Sequence, residues 1–148
     1  EISTATTPDL SDVPTAIAGG PALVRDGKPA DFTPPRPGQA GSYSERSKYE
    51  RHPRSAIGWN DQHIFLLTVD GRQAGLSVGM TLAELADYMI KLGCTQGMNL
   101  DGGVSATMWL TGHIANSPCQ GERTIANALF VVRKAGPAQP YGPPKAGR

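Results

Sequence analysis

The period of the hydrophobic positions changes along the chain, and each change marks an element. Leu82, Leu85, Ala86, Met89 and Ile90 recur at the 3.6-residue spacing of one helix face. Thr81 with Glu84 three residues later makes a capping box, and Gly93 supplies a C-terminal stop. The spacing therefore predicts a helix from Thr81 to Leu92. Shorter β-rich runs predict strands at Ala22–Arg25, Ser55–Trp59, His63–Val69, Gly97–Leu100, Met108–Leu110, Ile114–Asn116 and Ala128–Arg133. Asp26-Gly27, Asp70-Gly71 and Thr111-Gly112 are turn signals between or after these runs, and Asp70 reads most simply as a hairpin-turn aspartate. The order implies a mixed α/β (α+β) architecture, a mixed β-sheet packed with at least one helix. It does not give the order of strands in the sheet.

The ends of the chain differ from its middle. Residues 54–134 hold 21 of the 28 Leu, Ile, Val and Phe residues, and no proline occurs between Arg54 and Ser117. From Thr33 to Pro53 there is no Leu, Ile, Val, Met or Phe, so this stretch cannot offset its ordering entropy by burial. The pattern predicts one domain over residues 1–148 with its core at about 16–134, a long loop over 29–53, either a functional lid or disordered, and an extended Pro/Gly-rich tail over 136–148.

A length of 148 residues suits one domain, and fourteen basic against thirteen acidic residues leave a net charge of +1. That balance gives no field for nucleic acid. The longest apolar run, Ile64-Phe65-Leu66-Leu67, is far short of the ~20 residues of a spanning helix. The first residue is Glu1, so an upstream signal or further region is expected to have been removed. Cys94 and Cys119, with neither a CxxC spacing nor a nearby histidine pair, read as two buried thiols or one disulfide of an exported protein, not as a metal site.

The most unusual local sequence is Asn99-Leu100-Asp101-Gly102-Gly103-Val104-Ser105-Ala106-Thr107. A strand ends and delivers an amide, a carboxylate, two glycines and two hydroxyls into one short turn. Glycines let backbone N–H groups approach an anion, and Asp101 could accept from sugar hydroxyls or serve as acid or base. A plain Asp-Gly-Gly turn is the simpler alternative. Arg54, entering a strand after His52-Pro53, suits a phosphate or carboxylate because its planar fork binds two oxygens; a solvated arginine is the alternative. Glu122-Arg123 is either a surface charge pair or contributes one side chain to a site, since neighbours on an extended segment point to opposite faces. Gly103 to Thr107 approaches a serine-hydrolase elbow but has Thr107 where that motif needs glycine. His52, His63 and His113 are scattered, and no phosphate-binding loop or dinucleotide fingerprint is present.

Taken in order, several blocks resemble the phosphodiester glycosidase family. Residues 16–28 (AIAGGPALVRDGK) are similar to its glycine-rich block, and residues 51–58 (RHPRSAIG) to its Arg-Thr/Ser-Ala-Ile-Gly block. Residues 68–72 (TVDGR) and 77–86 (SVGMTLAELA) are similar to the following strand and helix. Residues 99–107 (NLDGGVSAT) resemble its Asn-Leu-Asp-Gly-Gly-Gly turn, and residues 122–129 (ERTIANAL) its closing strand. The resemblance covers residues 16–133, the C-terminal half of the usual domain. A preceding half ending in an Asn-Gly-x-Phe-Phe type motif is expected to be a separate piece or lost. Val104 stands at the third glycine of the turn, where a left-handed backbone would strain a β-branched residue.

The resemblance implies hydrolysis of a sugar-1-phosphodiester to free sugar and phosphomonoester, by an exported protein at a cell surface, in a periplasm or secreted. Arg54, Asp101 and Glu122 would be catalytic, with Asn99, Gly102, Gly103, Ser105, Thr107, Arg123 and Asp70 binding substrate. It implies no metal and no cofactor. Expected partners are a glycan phosphodiester and either further copies of the chain or the missing N-terminal half. A non-catalytic structural or glycan-binding protein on the same fold is the alternative; a serine hydrolase built on Ser105 would need a histidine within reach.

Overall fold

A computed structural model describes Asp12 and residues 15–32 and 47–132. The predicted loop segment 33–46 and the tail from Gly136 lie outside the described residues. Strands β1 (Ala22–Arg25) and β2 (Lys28–Pro29) form a hairpin, closed by Asp26 and Gly27 at φ 50° and 71°, the type I′ geometry that matches strand twist. Next come β3 (Arg54–Trp59) and β4 (Ile64–Val69), then helix α1 (Leu82–Lys91), then β5 (Gln96–Asn99). A 3₁₀ turn over Gly103–Ser105 and a small hairpin, β6 (Trp109–Leu110) with β7 (His113–Ile114), follow. Thr111 and Gly112, both at positive φ, form its turn.

Five strands make one sheet in the order β2-β1-β5-β3-β4, and each neighbouring pair runs antiparallel. The mixture of the predicted architecture thus lies in one sheet and one helix, the α+β class. The capping box is complete: Thr81 Oγ1 accepts from Glu84 N at 3.1 Å, and Glu84 Oε2 accepts from Thr81 N at 2.9 Å. Leu82, Leu85, Ala86 and Met89 face the sheet and join Leu23, Val24, Ala56 and Cys94 in the core. Leu85 and Met89 are fully buried, each contributing roughly 2–3 kcal/mol. The close seat of the helix depends on Gly58 and Gly97, paired across β3 and β5. A Cβ on either would lie 2.6 Å from Met89 Cε.

The sheet's opposite face has no such cover among the described residues. Register places Ile57 and Trp59 beside Leu66 and Ile64, with Met98 opposite Ile57. Ile64 is 69% exposed, Trp59 42% and Leu66 37%. The strand expected at Ala128–Arg133 does not form over 128–132, while Arg133 lies outside the described residues. Phe130, Val131 and Val132 instead run irregular and exposed, since a β-rich segment becomes a strand only beside a partner edge. Asp70 is not a hairpin-turn residue either: the chain reverses further on, at the Gln73–Ser77 bridge. Cys94 is buried, Cys119 half-buried, and both are free thiols. Among the described residues, no helix is long and apolar enough to cross a membrane.

Candidate active site

The start of β3 and the end of β5 lie side by side, and the segments leaving them enclose an open cleft of about 360 Å³. Its wall is formed by Gly19, Gly20, Asn99, Asp101, Gly102 and Gly103 together with Ser47, His52, Arg54 and Arg72. The glycine turn is stitched to the entry of β3. Gly103 N donates to Pro53 O at 2.8 Å and Leu100 N to Ser55 O at 2.8 Å. A side chain at Gly102 would sit 2.8 Å from Pro53 O, and Gly103 adopts φ +61° under the Arg72 guanidinium. These positions need glycine for close approach and for handedness.

The N–H groups of Gly103, Ser105 and Ala106 donate to Pro53, Gly102 and Gly103 carbonyls, so these three members of the expected anion-binding nest are used by the fold. Val104 carries no left-handed strain, because Asp26, Arg72 and Thr111 are the non-glycine residues at positive φ among the described residues. Its place in the 3₁₀ turn is one a β-branched residue can occupy.

Arg54 is buried. Its Nε donates to Met80 O at 2.9 Å, and its Nη2 to Ser47 O at 2.7 Å and Glu50 O at 2.8 Å. It therefore ties the 47–50 segment and the Met80 strap to the sheet while lining the cleft. Arg72 is exposed at the rim. Its Nε and Nη2 lie 3.3 and 3.1 Å from His52 Nδ1, and arginine only donates, so Nδ1 is the acceptor. His52 Nε2 lies 3.2 Å from Glu50 Oε2. Burial first, then the charges of Arg72 and Arg54, lower the pKa of His52, with Glu50 acting in the opposite direction.

Asn99 is held by its Nδ2, which donates to Gly20 O at 3.0 Å and Leu100 O at 2.9 Å. Its Oδ1 is buried with no partner among the described residues, an orphan acceptor at the cleft wall. Asp101 is exposed on the same wall.

Of the residues picked out from sequence, Arg54, Asn99, Asp101, Gly102 and Gly103 therefore share one cleft. Ser105 and Thr107 follow the turn but are not part of the lining. Asp70 accepts from Ser117 N at 2.9 and 3.0 Å and from Asn116 Nδ2 at 2.9 Å, so it fastens the β6–β7 hairpin to the end of β4. Glu122 and Arg123 are exposed on the irregular segment and line no part of the cleft. His52, Arg72, Gly19 and Gly20 were not picked out as site residues. A depression of similar size, about 370 Å³, lies along α1, but there Arg51 and Glu84 pair with each other. Among the described residues, no three His, Cys, Asp or Glu side chains come together as a metal site.

A family model for phosphodiester glycosidase matches residues 1–132. The chain belongs to the phosphodiester glycosidase family. A bovine (Bos taurus) N-acetylglucosamine-1-phosphodiester alpha-N-acetylglucosaminidase is 38% identical over 66 residues, covering 44% of this chain and 12% of that protein. The zebrafish enzyme of the same name, solved as a catalytic domain auto-inhibited by its pro-peptide, gives a TM-score of 0.55 at 27% identity. That match covers 69% of this chain and 34% of the zebrafish domain. A hypothetical protein from Synechocystis gives a TM-score of 0.51 at 27% identity, over 68% of this chain and 18% of its own. The chain thus spans a minor part of the length of each relative. The α+β sheet-and-helix unit is shared family structure.

Proposed function

We propose that this chain carries the phosphate-side and sugar-side residues of a hydrolase acting on a sugar-1-phosphodiester. The observation that carries this reading is the convergence of Arg54 and Arg72 on one cleft that Asp101 and Asn99 also line. In the reaction the bond between the anomeric carbon and the phosphate oxygen breaks. Its electron pair leaves with the phosphate, and water adds at carbon, giving free sugar and a phosphomonoester. Arg72, at the rim, neutralises the departing phosphate, with Arg54 behind it. Asp101 stabilises positive charge at the anomeric carbon or takes the proton of the attacking water. A substrate hydroxyl supplies the donor that Asn99 Oδ1 lacks, offsetting an orphan cost of roughly 1–3 kcal/mol. Glycans are the substrate class in view, met outside the cytoplasm by a secreted or surface-held protein.

The test is turnover of the methyl diester of GlcNAc-α-1-phosphate. Asp101→Asn and Arg72→Gln should each lower kcat/KM by at least about tenfold, or ~1.4 kcal/mol of barrier. Parent-level turnover in both variants, or none in a folded parent chain, would sink the reading.

The uncovered sheet face favours a second element of the reading, that this unit works against further polypeptide. Ile64 and Leu66 lie on β4, an edge strand, and their face has no cover among the described residues. Light scattering on the parent and an Ile64→Lys variant checks it, with association expected in the parent and loss in the variant. A monomeric parent that binds no ANS (the hydrophobic dye) would remove this element.

A further inference from the structure

We propose that His52, in its neutral form, is the positioning residue that holds the Arg72 guanidinium over Gly103, so that the grip of the cleft on an anion weakens as this imidazole takes up a proton. The inference rests on reading the cleft as an anion site, and goes beyond it by naming what sets the arginine in place.

His52 N donates to Met80 O at 3.2 Å, and Met80 N donates to His52 O at 3.1 Å. Gly79 presses so closely on the His52 carbonyl that a side chain there would collide with it. The imidazole thus stands on a main chain fixed from both sides, whatever its protonation state. Arg72 sits 20 residues on, at φ +56°, a conformation uncommon for a long side chain. Its Nε and Nη2 both converge on His52 Nδ1, and its guanidinium lies 3.6 Å from where a Gly103 side chain would begin.

A guanidinium has no acceptor lone pair, so this contact requires an unprotonated Nδ1 and puts the imidazole hydrogen on Nε2, which lies 3.2 Å from Glu50 Oε2 but makes no hydrogen bond among the described residues. Protonation would replace the acceptor by a donor and set two cations about 3 Å apart. The charged groups facing the imidazole are Arg72, Arg54 and Glu50. Two cations against one exposed carboxylate, together with burial, keep the neutral form at physiological pH. Acidification then removes the hold of His52 on the arginine.

Two arms of the experiment need no ligand. With ¹⁵N-histidine labelling, His52 should show the Nε2–H tautomer near neutral pH, and Arg72→Gln should raise its titration midpoint. The third arm measures binding of the methyl diester of GlcNAc-α-1-phosphate at about pH 7.5 and at about one pH unit below the His52 midpoint found by titration, since burial and the two arginines lower that midpoint. Replacing Arg72 by Gln should weaken binding roughly tenfold at the higher pH, as for a hydrogen bond to a charged group, and much less at the lower. His52→Asn keeps an acceptor near the Nδ1 position and cannot charge, so it should preserve the Arg72 effect at both pH values. His52→Ala should lose it at both.

An Nδ1–H tautomer, an unmoved midpoint, or an Arg72 effect that is unchanged in His52→Ala overturns the inference while leaving the cleft reading intact. Pairing confirmed by the two ligand-free arms, with no diester bound by the parent, overturns the cleft reading and with it the use of the pair.

Discussion

Replacing Arg54 by alanine should destabilise the fold, because this arginine is a clamp before it is a ligand. Three of its hydrogen bonds run to carbonyls on two segments, Ser47 and Glu50 on one and Met80 on the other. Met80 O also accepts from His52 N, so it keeps a donor when Arg54 is removed. The carbonyls of Ser47 and Glu50 lose a charged one. With roughly 1–2 kcal/mol for each of these and a similar amount for the buried stem, Arg54→Ala should cost about 3–6 kcal/mol. That is a large fraction of the ~5–15 kcal/mol available to an ordinary domain. Urea unfolding followed by tryptophan fluorescence measures it directly. Arg54→Lys, which restores one point donor in place of a fork, should recover part of the loss. An alanine variant within about 1 kcal/mol of the parent, at unchanged m-value, would refute the clamp argument and return Arg54 to the role of a simple anion ligand.

Other perturbations test neighbouring parts of the reasoning. Thr81→Ala removes the cap acceptor of Glu84 N and should destabilise by about 1 kcal/mol, read as a lower Tm. Arg51 and the Thr81 N–H hold the Glu84 carboxyl down at about 2, so its contribution to stability is complete above pH 4.5 and lost as pH falls towards 2. Glu84→Gln should therefore flatten stability against pH across that window, measured by denaturant midpoints, and a parallel acid limb would count against the pair. Val104→Gly, which restores the family's third glycine, should lower stability by about 1 kcal/mol, because the valine is not left-handed; a gain would mean hidden strain. Burial raises the pKa of Cys94, so a thiol reagent at pH 8 should modify Cys119 first and reach Cys94 only on unfolding, as peptide mapping would show.

What the sequence made legible follows the range of the interactions involved. The helix was readable because its start and its buried face are written within twelve residues, and both tight I′ turns carry their signal in two. Strands β1, β3 and β4 lie within about a residue of local β-rich runs, and β5, with less apolar content, within about a residue of the segment that precedes the glycine turn. Asp70 failed as a turn residue because its partners, Asn116 and Ser117, lie 46 and 47 positions away. Ala128–Arg133 has the composition of a strand, yet composition does not supply the neighbouring edge that makes one. In the cleft, Asn99 to Gly103 stood out through glycines beside a carboxylate. His52 and Arg72 did not, because their meaning lies in a contact across 20 residues and in a backbone angle.

The two arginines show how a residue type can be right while its role remains open. Both have a guanidinium on the cleft, and the sequence logic that chose Arg54, a planar fork where a loop enters a strand, applies to one that is fastened on carbonyl oxygens. Burial makes the difference. A cation 6% exposed must have its donors satisfied in the folded state, and an anion arriving later competes with bonds already made. On the reading proposed above, Arg54 shapes the cleft and supplies a standing positive potential, while the more exposed Arg72 meets the departing phosphate at the rim, where catalysis gains from an electrostatic interaction. Measured per folded molecule, activity should fall with Arg72→Gln at unchanged stability, whereas Arg54→Lys should lose stability and activity together. Equal behaviour of the two variants would mean that burial does not divide the work in this way.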